Sequence, residues 1–360
     1  MTGSGEGTRN SGGPGAARQP AGVVSNLKRY MADKKYKIIG VGSPIVDSLA
    51  RVSDAFLEQV EGAKGGMELV DAATMGQLIA KVEGDVVEAA GGSAGNTIFT
   101  LSRLGIPATF LGKIGNDAGA EFYKSRFTEL GGDASRFKDG DVPNGRCLSL
   151  VTPDSERTMR TDLGAAMTLT PDEVTEADFQ DCQHAHIEGY LLFNRDLMQK
   201  VLDSAKRAGC TISIDLASFE VVNATRDILP DILRNYVDIV FANEEEASAF
   251  SETKGNDYAG MAAELGKLCD LAVVKVGKEG SFISRGGEVI AVDPIRVSDV
   301  VDTTGAGDLW AAGFLYGWLT GRDLAVCGRF GSLLGAEVVQ VMGASIPDER
   351  WKAIEKEFGA

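Results

Sequence analysis

Residues 302–308 read DTTGAGD, and an apolar run, LWAAGFLYGWL (309–319), follows at once. A helix that begins at Gly305, Ala306 and Gly307 leaves its first N–H groups unpaired and its positive dipole end free. The small residues let an anion come close to the backbone. Asp308, in the first turn, projects toward the same spot. A carboxylate there would repel a resident anion. It can instead take the proton of an attacking hydroxyl while the amides hold charge developing on a phosphoryl group. The alternative is an acid that only caps a helix.

Other stretches carry weaker signals of the same kind. GGSAGNT (91–97) opens a helix that runs to Leu104, and Gly91 and Gly92 again suit close approach of a ligand. Asn96 offers both a donor and an acceptor. Asp47 follows the first strand pattern, IIGVGSPIVD, and together with Asn96 it can grip vicinal hydroxyls. The plainer reading of Asp47 is a cap. Asn243 begins NEEE, where acids beside a phosphate site call for Mg²⁺, held directly or through water. Asn243 as a helix N-cap with favourable first-turn acids explains the same residues. In VKVGKEG (274–280), a nucleotide can lie over Gly277 and Gly280 while Lys275 faces phosphate. Cys182, His184 and His186 alternate onto one strand face, but without a fourth ligand they read as ordinary strand residues.

The elements that must position these groups are legible as a pattern. Strand candidates are 37–42, 108–115, 185–190, 211–216, 237–243 and 271–277, with a hairpin over 280–292 turned at Gly286-Gly287. Helical patterns between them (119–131, 195–209, 261–269) imply a parallel sheet covered on both faces. Ligands in such sheets sit beyond the carboxyl ends of the strands. Two insertions break the rhythm. One follows Asp47, with strand-like pieces around 48–52 and 66–70. The other, 146–163, is a two-strand pattern about a Pro153-Asp154 turn. Both read as antiparallel strands forming a small lid, and their edges invite pairing with a second chain, a homodimer through the lids.

Composition limits the partners. The 360 residues are 44% hydrophobic and include 45 Gly, which fits a globular α/β chain. Lys+Arg number 36 against 52 Asp+Glu, and a net charge of −16 argues against nucleic-acid or anionic-membrane partners. Five scattered cysteines form no CxxC pair, so a reducing cytoplasm is expected. No apolar run reaches the ~20 residues of a membrane span. Residues 1–35, rich in Gly, Ser, Pro and Arg, read as a disordered extension. They lack the apolar region of a secretory signal. A transit peptide stays open, and an extension ahead of Met31 is simpler.

The order and spacing of DTTGAGD, GGSAGNT and NEEE resemble the signatures of the ribokinase-like, or PfkB carbohydrate-kinase, family over residues 37–358. The resemblance implies a three-layer α/β/α ribokinase-like fold with a mostly parallel central sheet and a small β lid. It implies ATP-dependent phosphorylation of a hydroxymethyl group, with Asp308 as base and Gly305, Ala306 and Gly307 as anion hole. Asp47, Gly92 and Asn96 would meet sugar hydroxyls, and Asn243 and Glu246 would organise Mg²⁺. Asp302 and Thr304 would join carbonyls near Gly343 and Ser345 around a monovalent cation, usually K⁺. Lys275, Gly277 and Gly280 would lie along the nucleotide. One element departs. Asp215 is kept, but Ala217 and Phe219 stand where many sugar kinases carry Asn and Arg. That segment, with TPDSERTM and LGAA, looks more like adenosine-kinase-like bacterial members. The substrate expected is therefore a nucleoside, best adenosine. A ribokinase- or fructokinase-like sugar kinase and a non-catalytic binding relative are the alternatives.

Overall fold

Near-continuous Val/Ile/Leu strands can lie only where both sheet faces are covered. The computed structural model describes Met1 and residues 35–359, apart from 155 and 254; the disordered extension expected over residues 1–35 falls almost wholly outside them. The central sheet has eight strands. From edge to edge they are Glu288–Val292, Ser281–Arg285, Leu271–Lys275, Ile239–Asn243, Thr211–Asp215, Cys182–Glu188, Tyr36–Val41 and Ala108–Leu111. The six from Leu271–Lys275 onward pair in parallel, and the hairpin at the first edge is antiparallel.

Alternation divides the strand residues between two cores. Ile39, Val41, Ile212, Ile214 and Val240 face helices Arg195–Arg207, Phe219–Ala224, Leu229–Tyr236, Glu244–Phe250 and Tyr258–Leu265. Ile38, Ile239, Phe241 and Val273 face helices Ser93–Arg103, Ala118–Glu129, Ala306–Leu319, Leu324–Val338 and Asp348–Phe358. The result is the three-layer ribokinase-like architecture.

A second sheet of five strands forms the lid, in the order Met67–Leu69, Arg157–Asp162, Gly145–Val151, Ile45–Arg51, Val86–Gly91. Ala50, Leu148 and Leu150 turn to a small core with Leu57, Met75 and Leu78 from the two covering helices. Asp47, Leu49, Cys147, Arg157 and Met159 alternate with those residues and face the other way.

Four details differ from the sequence reading. Asp47 does not end a central strand: that strand stops at Val41, and Asp47 lies within the lid strand Ile45–Arg51. The lid is mixed rather than antiparallel, since Ile45–Arg51 pairs in parallel with Gly145–Val151, and Met67–Leu69 with Arg157–Asp162. Strand Val86–Gly91 was not anticipated, because VVEAAG carries little β-branched character and is defined by its ladder to Ile45–Arg51. The 108–115 stretch also divides, with Lys113–Ile114 pairing separately with Lys138–Asp139.

Candidate active site

Two helices bring their N-termini together beyond the carboxyl ends of the central strands. Gly305, at φ +70°, caps the helix Ala306–Leu319, and a Cβ there would sit 2.5 Å from the Cβ of Ala344. Only glycine fits both the backbone angle and that approach. Gly92, at φ +83°, caps the helix Ser93–Arg103 in the same way, against the carbonyl of Ser43.

Asp308 ties the two together. Its Oδ1 accepts from Ser93 Oγ at 2.8 Å, its Oδ2 from Asn96 Nδ2 at 2.9 Å, and its carbonyl from Thr97 Oγ1 at 3.0 Å. Burial raises its pKa to about 6; Asp215 adds to the rise, while the bonds from Asn96 and Ser93 and the charge of Lys275 oppose it. A carboxylate of this basicity remains mostly ionised at pH 7 and accepts a proton more readily than an exposed aspartate.

Asp47 enters from the lid, its carboxyl packed where a side chain on Gly91 would stand. Burial lifts its pKa to about 7, against Arg157 and with Asp308 and Asp302. Across the site lies Glu188, at the end of Cys182–Glu188. It accepts from Ser43 N at 3.3 Å and Ala94 N at 3.4 Å, and burial raises it to about 7. Sequence reasoning passed over Glu188. Its one signal was a lone acid ending the otherwise buried strand AHIEGY.

The remaining candidates separate into groups. Lys275 is buried and ion-paired to Asp215 Oδ2 at 2.7 Å. A Cβ on Gly307 would lie 3.0 Å from its Nζ. Burial alone would lower the Lys275 pKa, but Asp215 and Glu246 hold it raised. Asn243 and Glu246 form a capping box: Asn243 Oδ1 accepts from Glu246 N, and both Glu246 oxygens accept from Asn243 at 2.8 Å. Glu246 is buried, and burial raises its pKa to about 8, with Asp215 adding and Lys275 opposing.

Asp302 accepts from Thr304 N and Oγ1 through Oδ1, and from Gly343 N at 2.8 Å through Oδ2. Arg157 of the lid reaches Asp302 Oδ1 at 3.5 Å. Ser345 does not join this cluster through a bond. It lines a cavity of about 550 Å³ together with Asn96, Leu49, Phe99 and Trp351. Gly277 faces open space, whereas a side chain on Gly280 would strike the carbonyl of Val292. That gives Gly280 a packing reason of its own.

His184 and His186 are core residues, bonded to the hydroxyls of Thr211 and Ser213 at 2.7–2.8 Å. Burial lowers both pKa values, that of His186 to about 4. Among the described residues, no three His, Cys, Asp or Glu side chains form a group able to hold a metal.

Two helix N-termini beside a carboxylate of raised pKa, at the carboxyl edge of a parallel sheet and under a β lid, suit phosphoryl transfer. Comparison with known proteins agrees. The model of the pfkB family carbohydrate kinases matches residues 68–351, and the chain belongs to that family. It is 31% identical over 251 residues to an uncharacterized sugar kinase of Archaeoglobus fulgidus, covering 68% of this chain and 96% of that protein. Adenosine kinase of Saccharomyces cerevisiae is 28% identical over 337 residues, covering 87% of this chain and 97% of its own length. The crystal structure of adenosine kinase from Sinorhizobium meliloti superposes with a TM-score of 0.80 at 35% identity, covering 89% of this chain and 99% of that one. The protein is an ATP-dependent kinase of sugars or nucleosides. No helix among the described residues is long and apolar enough to cross a membrane.

Proposed function

We propose that the acceptor is a nucleoside, best adenosine, and that Asp308 is the base that activates its 5′-hydroxyl. The observation that carries the base assignment is the placement of Asp308 between Ser93 and Asn96, in the first turn of the helix that Gly305 caps. The hydroxyl gives its proton to Asp308 and its oxygen bonds to the γ-phosphorus. The bond to the β–γ bridging oxygen breaks, and ADP leaves with the electron pair. The amides meet the charge on the transferring oxygens, where such donors act without reorganisation.

Exposed apolar side chains support a base-bearing substrate. On the lid, Met67 and Leu69 are 44% and 59% exposed; on the body, Tyr190, Phe193 and Phe219 are 37%, 59% and 42% exposed. Phe219 stands at the carboxyl edge of the sheet, opening a helix four residues after Asp215, and offers an aromatic face where an arginine would grip a polar sugar acid. Asp47 and Asn96 are left for the ribose 2′- and 3′-hydroxyls.

Glu188 favours a second reading. It adds one more buried carboxyl to the hydroxyl-binding wall, and a free sugar has one hydroxyl more than a nucleoside. Turnover measured over adenosine, other nucleosides, ribose and hexoses decides between them. Adenosine as the best acceptor supports the first reading; an inert adenosine beside an active sugar removes it.

When bound, Mg²⁺ neutralises phosphate charge. Asn243 and Glu246 suit a supporting role through water, because both Glu246 oxygens already accept bonds. Asp302, Thr304, Gly343 and Ser345 are the residues proposed to hold K⁺. Asp302 supplies the negative charge for it, but the neighbouring Arg157 guanidinium competes for the same carboxylate. The lid's outer strands, Met67–Leu69 and Val86–Gly91, are proposed to pair with a second copy of the chain. Sedimentation showing only monomer at micromolar concentration removes that proposal.

A further inference from the structure

Lys275 is a buried cation that proton transfer by Asp308 leaves unused. It ends the strand Leu271–Lys275 and pairs with Asp215 at the end of a strand two places away in the sheet. The pair lies at 2.7 Å, with the two side chains 11% and 6% exposed. Its ammonium also stands against Gly307, whose missing Cβ would lie 3.0 Å from Nζ. A side chain on that glycine would fill the space between the ammonium and the helix-terminal amides. The same cation therefore touches a carboxylate on one side and the anion cradle on the other.

We propose that Lys275 is a catalytic electrophile of the phosphoryl transfer, with Asp215 holding its ammonium at the cradle until the γ-phosphoryl group arrives. This rests on the kinase reading of the site. As the γ-phosphoryl group moves to the acceptor oxygen, Lys275 donates N–H bonds to its equatorial oxygens. It neither gains nor loses a proton, since that of the acceptor goes to Asp308. A charged donor held in a dry site stabilises such a transition state without prior reorganisation. Asp215 limits the cost of keeping the cation buried before substrate binds.

The test compares Lys275→Met, Lys275→Arg and the double variant Lys275→Met with Asp215→Asn, which removes both buried charges. Lys275→Met is expected to lower kcat by ~10²–10³, the loss typical of one such donor, while the KM of the acceptor changes little. Lys275→Arg should recover part of that loss. Binding of ADP with aluminium fluoride and acceptor, a mimic of the planar phosphoryl group, should weaken in step with kcat while ADP alone binds as before. The double variant should melt near the wild type yet stay slow. If it regains both stability and turnover, Lys275 is only the counter-ion of Asp215 and the proposal is overturned. Wild-type turnover of an acceptor with an undiminished Lys275→Met overturns this inference alone. A wild-type protein that phosphorylates nothing in the panel overturns the parent reading as well.

Discussion

Asn96 Nδ2 donates to Asp308 Oδ2 at 2.9 Å, joining the first turns of two helices whose partners lie 212 residues apart. The bond fixes the carboxylate between the two helix N-termini. Each carboxylate oxygen has about two acceptor directions, so with Ser93 on Oδ1 and Asn96 on Oδ2 a lone pair remains on each for an incoming hydroxyl.

Asp308→Asn should preserve the fold and ligand binding and reduce kcat by ~10²–10⁴, the usual contribution of a positioned base. In the wild type, kcat should fall as pH drops through about 6, where Asp308 becomes protonated. Calorimetric titration and a rate profile check both. A substituted protein that turns over normally excludes Asp308 as base.

Stability should fall between pH 6.5 and 8.5. Asp47, Glu188 and Glu246 have folded pKa values raised to about 7, 7 and 8. The folded state therefore holds protons that the unfolded chain has already released, and raising the pH through these values works against folding. The two buried histidines act oppositely, but only below about 6.5, the pKa of an unperturbed histidine. Glu188→Gln should flatten the decline of Tm with pH. A Tm that rises over this interval contradicts the assigned directions.

Asp47 should control the response to missing hydroxyls. A buried group built to bond a hydroxyl rejects the analogue that lacks it. Adenosine should be phosphorylated well and 2′-deoxyadenosine poorly, with Asp47→Ala slowing both and narrowing the gap. Equal kcat/KM for the two substrates in the wild type would show that Asp47 and Asn96 do not grip the ribose hydroxyls.

Glu246 is part of a cap and is proposed to support Mg²⁺, and two substitutions separate these roles. Asn243→Ala removes the cap acceptor and should cost about 1 kcal/mol of stability. Glu246→Gln keeps an oxygen for the Asn243 N–H and should raise the Mg²⁺ concentration needed for half-maximal rate. An unchanged Mg²⁺ titration leaves Glu246 as a cap alone.

What the chain determined by itself was whatever depends on neighbours in sequence. Strand and helix periodicity were legible because side-chain alternation is a local property, so the run Leu271–Lys275 and the helix after Gly305 could be read directly. DTTGAGD suggested an anion cradle because glycine and a helix start determine where amides point. The tertiary structure decided the rest. Asp47 follows a strand in sequence but belongs to the lid, since its partners in Val86–Gly91 and Gly145–Val151 are long-range. Glu188 looked like one more strand residue until Ser43 N and Ala94 N came to its carboxylate. Lys275 and Asp215 are 60 residues apart, and Arg157 reaches Asp302 from the lid. Charge pairs and raised carboxyl pKa values arise from burial beside groups distant in sequence, and no local pattern of residues encodes that proximity.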